Sequence, residues 1–217
     1  MASIPIVRQA ASQRTEASPA AEWWERSAAA LLLTLVSPVL LLSALALAVL
    51  SRRSPLIAHR RVGWRGETLW MLKLRTMWGG GDDCSRGWIQ YIDDSIGPEN
   101  KTQRDPRVPN AFARFCRRHS IDELPQLLHV IRGAMSLVGP RPLTAIELQR
   151  YYGEDASEVL EAKPGIAGLW QVSGRNRLTY AERRALDLKL VRSRSQGMYV
   201  RILLRAAAEV WHGANSW

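Results

Sequence analysis

Residues 28–50 read AAALLLTLVSPVLLLSALALAVL and carry no charge. A helix needs roughly 20 apolar residues to cross the hydrocarbon of a bilayer. Within lipid, a single such segment satisfies its backbone polar groups only as a helix. The run therefore dictates an N-terminal membrane helix, and everything after it must fold at a membrane surface. A cleavable signal peptide fits poorly, because a long polar stretch precedes the run and the run itself is long. Trp23 and Trp24 stand just upstream, where amphipathic rings favour the interface. Arg52, Arg53, Arg60, Arg61 and Arg65 follow it, a basic flank that argues for a cytoplasmic C-terminal side.

Two topologies remain open for this segment. Pro38, preceded by Ser37, falls near the middle of the run, and an internal proline removes a backbone donor and kinks a helix. One topology is an ordinary spanning helix with a tolerated proline, its freed carbonyl re-satisfied by Ser or Thr. The other is a re-entrant helix, broken at Ser37-Pro38, that enters and leaves on one face. Kinked spanning helices are the commoner case, although Arg8, Arg14 and Arg26 favour keeping both flanks cytoplasmic.

At 217 residues the chain can bury one good core. Its 30 Lys and Arg against 20 acids leave a formal charge of +10. That balance favours anionic partners, and beside a membrane segment it points to lipid head groups and phosphorylated substrates. Cys84 and Cys116 are the only cysteines and neither belongs to a CxxC pair, which argues against a cysteine-built zinc site and for a reduced cytosolic domain. His59, His119, His129 and His212 show no metal-ligand spacing.

The expected organisation is a flexible tail over 1–22, a membrane anchor over 23–51 and a compact cytosolic catalytic domain over 52–217. The fold class is α+β and predominantly helical. Residues 55–77 predict short strands around a turn at Gly63–Gly66. Residues 78–100, with the run Gly79-Gly80-Gly81-Asp82-Asp83, predict a long loop. Helical spacing marks 110–118, 125–131, 144–161 and 178–193. Over 198–211, Ile202, Leu203, Ala206, Val210 and Trp211 share a face beside Arg201 and Arg205. That pattern fits an interfacial amphipathic helix, and equally a helix facing a soluble core.

Chemistry concentrates in RRHSIDELPQL, Arg117–Leu127. Ser120 and Glu123 fit a capping box, but that cap would place Pro125 inside the helix. A helix starting near Pro125 instead leaves Asp122 and Glu123 at its positive end, where carboxylates stay ionised. An ionised Asp can attack phosphorus or bind a divalent cation. Arg117 and Arg118 precede the pair, and guanidinium forks match phosphate oxygens. Further phosphate-binding candidates are Lys73, Arg75, Arg107, Arg175 and Arg141, the last stiffened by flanking prolines. In KPGIAGLWQVSGRNR, Gly165, Gly168 and Gly174 would permit close approach to a ligand or simply shape a loop. Neither a P-loop nor a GxGxxG is present.

KLRTM, DPRV, RRHSIDELPQL, SLVGPRPL, KPGIAGLWQVSGRN and LTYAERRALDLKLV, in that order, resemble the bacterial sugar transferases. These are the monotopic phosphoglycosyl transferases of surface-glycan assembly. The resemblance implies Mg²⁺-dependent transfer of a sugar-1-phosphate from a UDP-sugar to polyprenol (undecaprenyl) phosphate, releasing UMP. It takes place at the cytoplasmic face of a bacterial inner membrane, as the first membrane step of exopolysaccharide or glycoconjugate assembly. Asp122 would be the nucleophile and a metal ligand, with Glu123 assisting the acceptor phosphate or the cation. The resemblance also favours the re-entrant break at Ser37-Pro38. Ala134, Arg177 and residues 192–197 depart from the family pattern, which bears on donor-sugar contacts rather than on the core reaction. The absence of a multi-helix N-terminal region resembles the minimal catalytic form. Partners implied are the donor, the lipid acceptor and anionic membrane lipid, with room for a homodimer. Nucleic acid is not among them, since no recognised motif or stacking platform is present. The rivals are a non-catalytic membrane scaffold and a tethered metal-dependent phosphohydrolase.

Overall fold

The computed structural model describes residues 19–78, 88–93, 107–108, 110–193 and 195–213. The tail over 1–18, most of the loop expected over 78–100, and Asp105-Pro106 of the DPRV motif lie outside them. The fold is mixed helix and sheet, with helix predominating. Helix α1 (Pro19–Ser51) contains the uncharged run and, among the described residues, is the one helix long and apolar enough to cross a membrane. It is helical straight through Pro38. The carbonyl that Pro38 cannot engage, that of Thr34, accepts a hydrogen bond from Ser37 Oγ at 2.8 Å. A hydroxyl thus replaces the amide that proline lacks. The helix stops where Arg52 turns left-handed, at φ 54°.

After α1 come strands β1 (Leu56–Val62) and β2 (Thr68–Leu74), antiparallel with Leu56 opposite Leu74 and Val62 opposite Thr68. Between them the chain turns through Gly66, at φ 81°, close to the expected place. Strand β3 (Ile89–Ile92) joins parallel to β1, which corrects the loop expectation for that stretch. Its alternating Ile, Gln, Tyr, Ile is too short for periodicity to reveal a strand. Helix α2 (Ala111–Arg118) is capped by Asn110, whose side chain accepts from Ala113 N at 2.7 Å. Then come α3 (Leu127–Ile131), β4 (Ser136–Val138) and α4 (Ala145–Glu147).

The single helix expected over 144–161 is broken. A π turn at Leu148–Tyr152 and a 3-10 turn at Gly153–Asp155 separate α4 from α5 (Ala156–Leu160), and Gly153 has φ 52°. Strand β5 (Gly165–Ala167) pairs parallel to β4. Helix α6 (Tyr180–Arg192) opens on a Thr179–Glu182 capping box, and α7 (Gln196–His212) ends the described chain.

Two cores include the membrane helix. Ala29 packs with Met71, Leu127, Val130 and Met135, and Leu47 with Leu74, Ala113 and Cys116. Both ends of α1 are therefore built into the same folded body. The opposite face, with Leu31, Leu35, Leu42, Leu45 and Val49, is exposed. A face so apolar has no business in water, and its natural solvent is lipid.

Candidate active site

The capping box does not form; the two carboxylates lie just ahead of a helix, close to where the sequence suggested, but in a 3-10 turn. Residues Ile121–Gln126 form a 3-10 turn with Pro125 inside it, leading directly into α3. Ser120 is left-handed at φ 52° and its side chain makes no cap. Proline is tolerated because a short 3-10 turn asks fewer amides for partners than a helix interior does.

Around this turn four other segments converge. Lys73, near the end of β2, places Nζ 2.8 Å from Glu123 Oε1. Arg141, on the loop after β4, places Nη2 3.4 Å from the same oxygen. Arg175 adds its charge to Glu123, from a backbone held at φ 47°. Arg117, in the last turn of α2, donates to Thr76 Oγ1 at 3.4 Å and its charge bears on Asp122. Five of the named residues, Lys73, Arg117, Asp122, Glu123 and Arg141, thus meet at one place with Arg175 beside them. Arg75 is turned away from the carboxylate pair, donating to the Ser54 carbonyl at 2.7 Å and to Gln90. For Arg107 the structure gives a backbone role: its carbonyl accepts from Trp78 N at 2.6 Å.

Charge and burial set the two carboxyls apart. Burial and the neighbouring Glu123 charge raise the pKa of Asp122, against Lys73 and Arg117. Burial acts to raise Glu123 too, but Lys73, Arg141 and Arg175 overcome it and hold that carboxyl well below the usual range. Burial lowers Lys73 in spite of Glu123. Burial also keeps His129 low, and its Nε2 lies 3.1 Å from the Leu72 N–H that it accepts, a structural use that explains why no metal spacing was found. The site abuts α1. Cys116, pushed up to about 11 by burial and by Asp122, hydrogen-bonds with Ser43, and Ile121 packs in the core holding Leu40 and Ala44.

The glycines resolve against a ligand role. A Cβ on Gly165 would lie 2.0 Å from Gly139 N, so the close approach is between two stretches of this chain's own backbone. It seats the Arg141 loop on β5, with Gly165 N donating to Pro140 O at 2.8 Å. Thr76 and the buried Tyr152–Asp187 pair were not anticipated. Asp187 sits among Leu186, Leu188 and Leu190, and an acid between core leucines was the available signal.

Among the described residues no cluster of three metal-ligating side chains exists. Asp122 and Glu123 supply two carboxylates, the number Mg²⁺ takes when substrate phosphates complete its shell. A buried carboxyl with raised proton affinity is also one that a dication would favour.

Residues 18–213 match the family described as Bacterial sugar transferase. Exopolysaccharide production protein ExoY of Rhizobium meliloti is 40% identical over 171 residues, 76% of this chain and 74% of that protein. The UDP-glucose:undecaprenyl-phosphate glucose-1-phosphate transferase of Caulobacter vibrioides is 36% identical over 198 residues, 88% of this chain and 69% of the relative. The undecaprenyl-phosphate galactose phosphotransferase of Salmonella typhimurium is 40% identical over 157 residues, 70% of this chain but 32% of its own length.

Proposed function

Since this chain belongs to the bacterial sugar transferase family, we propose that it moves a sugar-1-phosphate from a UDP-sugar to a polyprenol phosphate and releases UMP. Relatives named as undecaprenyl-phosphate glucose and galactose phosphotransferases support the lipid acceptor and the sugar donor. The observation that carries the reading is a buried, cation-ringed carboxylate pair set against an apolar helix. A lipid-borne phosphate stays at the interface, so its reaction partner has to wait there.

Asp122 attacks the phosphorus that bears the sugar. Its new oxygen–phosphorus bond forms as the bond to the UMP phosphate breaks, and UMP leaves with those electrons. The acceptor's phosphate oxygen then attacks the same phosphorus and frees Asp122. A nucleophile of raised basicity suits the first step. Lys73, Arg117, Arg141 and Arg175 neutralise the charge that gathers on the phosphates. Glu123, held strongly ionised, is suited to orienting Lys73 and Arg141 rather than to taking a proton. Mg²⁺ held by Asp122 and Glu123 would polarise the diphosphate.

For the anchor, the reading favoured is one that enters and leaves on the same face, with the helix continuous through Pro38 and not broken at Ser37-Pro38 as the sequence suggested. Lys163 Nζ pairs with Glu22 at 2.7 Å and Ser136 Oγ donates to Glu25 at 2.8 Å, tying the helix start to the domain that also buries Leu47. A helix whose two ends both hold one polar domain cannot carry them to opposite faces without dragging that domain into hydrocarbon. The basic flank favours the cytoplasmic side for the domain.

The test is UMP release from a panel of UDP-sugars with and without undecaprenyl phosphate, comparing Asp122→Asn. Acceptor- and Mg²⁺-dependent UMP is expected from the parent chain and none from the variant, with membrane association unchanged. Phosphate release to water without acceptor would replace transfer with hydrolysis. UMP release at the parent rate from the variant would remove Asp122 as nucleophile.

A further inference from the structure

Away from the carboxylate pair, α6, α7 and the turn that follows β5 border a half-open cavity of about 410 Å³, within the range of small-molecule sites. Its lining holds three cations, Lys189, Arg201 and Arg205, and an apolar floor that includes Val172, Met198 and Ile202. No carboxylate lines it, and neither do Lys73, Asp122, Glu123 or Arg141. A pocket with cations and a greasy floor suits an amphiphile with an anionic head better than a sugar nucleotide, which would leave the floor unused.

The cavity continues into a surface of the same character. Along α7, Val200, Leu204, Val210 and Trp211 are exposed, Trp211 by 82%. Arg201 and Arg205 follow Val200 and Leu204 by one residue, which sets them about 100° round the helix at the flank of that stripe. Long basic side chains at the edge of an apolar stripe reach for the phosphate layer while the stripe enters the acyl boundary.

We propose that this cavity seats an anionic glycerophospholipid, with Lys189, Arg201 and Arg205 around its phosphate and its first methylenes on Val172, Met198 and Ile202. The proposal rests on the membrane placement of the chain given above. It assigns the basic face of α7 to one lipid held in one place, not to diffuse attraction. The occupant also bears on the site, since the cavity wall at Val172 and Ser173 runs on through Gly174 to Arg175.

The full chain is reconstituted in nanodiscs of phosphatidylcholine with phosphatidylglycerol as a minor component, and retained lipid is read by native mass spectrometry. Flotation with the same lipids reports membrane binding separately. Wild type is expected to retain one phosphatidylglycerol, and Lys189→Gln/Arg201→Gln/Arg205→Gln to retain it roughly tenfold less or weaker still. Gly197→Trp keeps all three cations but fills the cavity, because Gly197 lines it and a Cβ there meets nothing within 4 Å; it should lose the lipid equally while still floating. Removing the same charge elsewhere, with Arg65→Gln/Arg132→Gln/Arg150→Gln, should leave retention intact. Undiminished retention in Gly197→Trp, or equal loss in the control, would reduce the effect to diffuse charge and overturn the site. Displacement of the lipid by excess inorganic phosphate would make it a plain anion site and refute the lipid assignment. Normal flotation without any preference for phosphatidylglycerol refutes this proposal alone, whereas failure of the wild type to float removes the membrane placement as well.

Discussion

Glu123 and Asp187 are two carboxyl groups taken out of water by one fold and shifted in opposite directions. Glu123 has Lys73 at 2.8 Å and Arg141 at 3.4 Å, and it stays ionised. Asp187 is fully buried with a hydroxyl for its close partner, Tyr152 Oη donating to Oδ2 at 2.8 Å, while its Oδ1 has no hydrogen-bond partner among the described residues. Burial pushes Asp187 up to about 7, against the weaker pull of Tyr152 and Arg141. A neutral donor does not replace a cation where the dielectric is low. Arg141 links the two, touching Glu123 and acting on Asp187 through space. The chain sets its cations around the Asp122–Glu123 pair and leaves Asp187 with a raised proton affinity.

Breaking the compensated side should have the largest effect. Lys73→Met strips Glu123 of its nearest cation and should destabilise the protein by about 3–5 kcal/mol. Lys73→Met with Glu123→Gln should recover part of that in chemical denaturation of the reconstituted chain. A single variant as stable as the parent would show that Arg141 and Arg175 compensate Glu123 without Lys73.

The uncompensated side should reveal itself through pH. The folded pKa of Asp187 is raised from 3.8 to about 7, so the folded state holds a proton that the unfolded state releases. Its contribution is complete below pH 3.8 and lost as the pH rises through about 7, a window worth up to about 4 kcal/mol. Asp187→Asn should flatten that part of the stability profile, measured as thermal midpoints from pH 4 to pH 8. An unchanged slope would place the titration elsewhere.

Tyr152→Phe is the smallest and sharpest of these tests. Without its hydroxyl donor Asp187 should titrate still higher, and stability at neutral pH should fall by about 1–3 kcal/mol. A shift of the Asp187 titration downward would mean that Tyr152 was not the group favouring its charge.

Much of this architecture could be read from residue order. The β1–β2 turn, the helix over 110–118 and the meeting of Lys73, Arg117, Asp122, Glu123 and Arg141 follow from local chemistry or from the family resemblance. What escaped depends on the third dimension. β3 is short and gains its identity by pairing with β1. The break at Gly153 needs a left-handed residue where the composition read as helix. Gly165 could have meant room for a ligand or a shaped loop, and only the folded chain shows that it is room for Gly139. Arg75 carried the same charge as Lys73 two residues earlier, but it lies just past the end of β2 and bonds to Ser54 and Gln90, and charge alone does not say where a side chain beyond the strand end will reach.

The burial of Ala29 and Leu47 in separate cores has an engineering consequence. Trimming the hydrophobic segment to obtain a water-soluble catalytic fragment would open a wall in each core, exposing Met71 and Val130 at one end and Leu74 and Cys116 at the other. Grafting on a generic anchor would not restore those contacts. Detergent or nanodisc work is therefore a structural necessity for this chain, because its membrane helix is masonry rather than a mooring line.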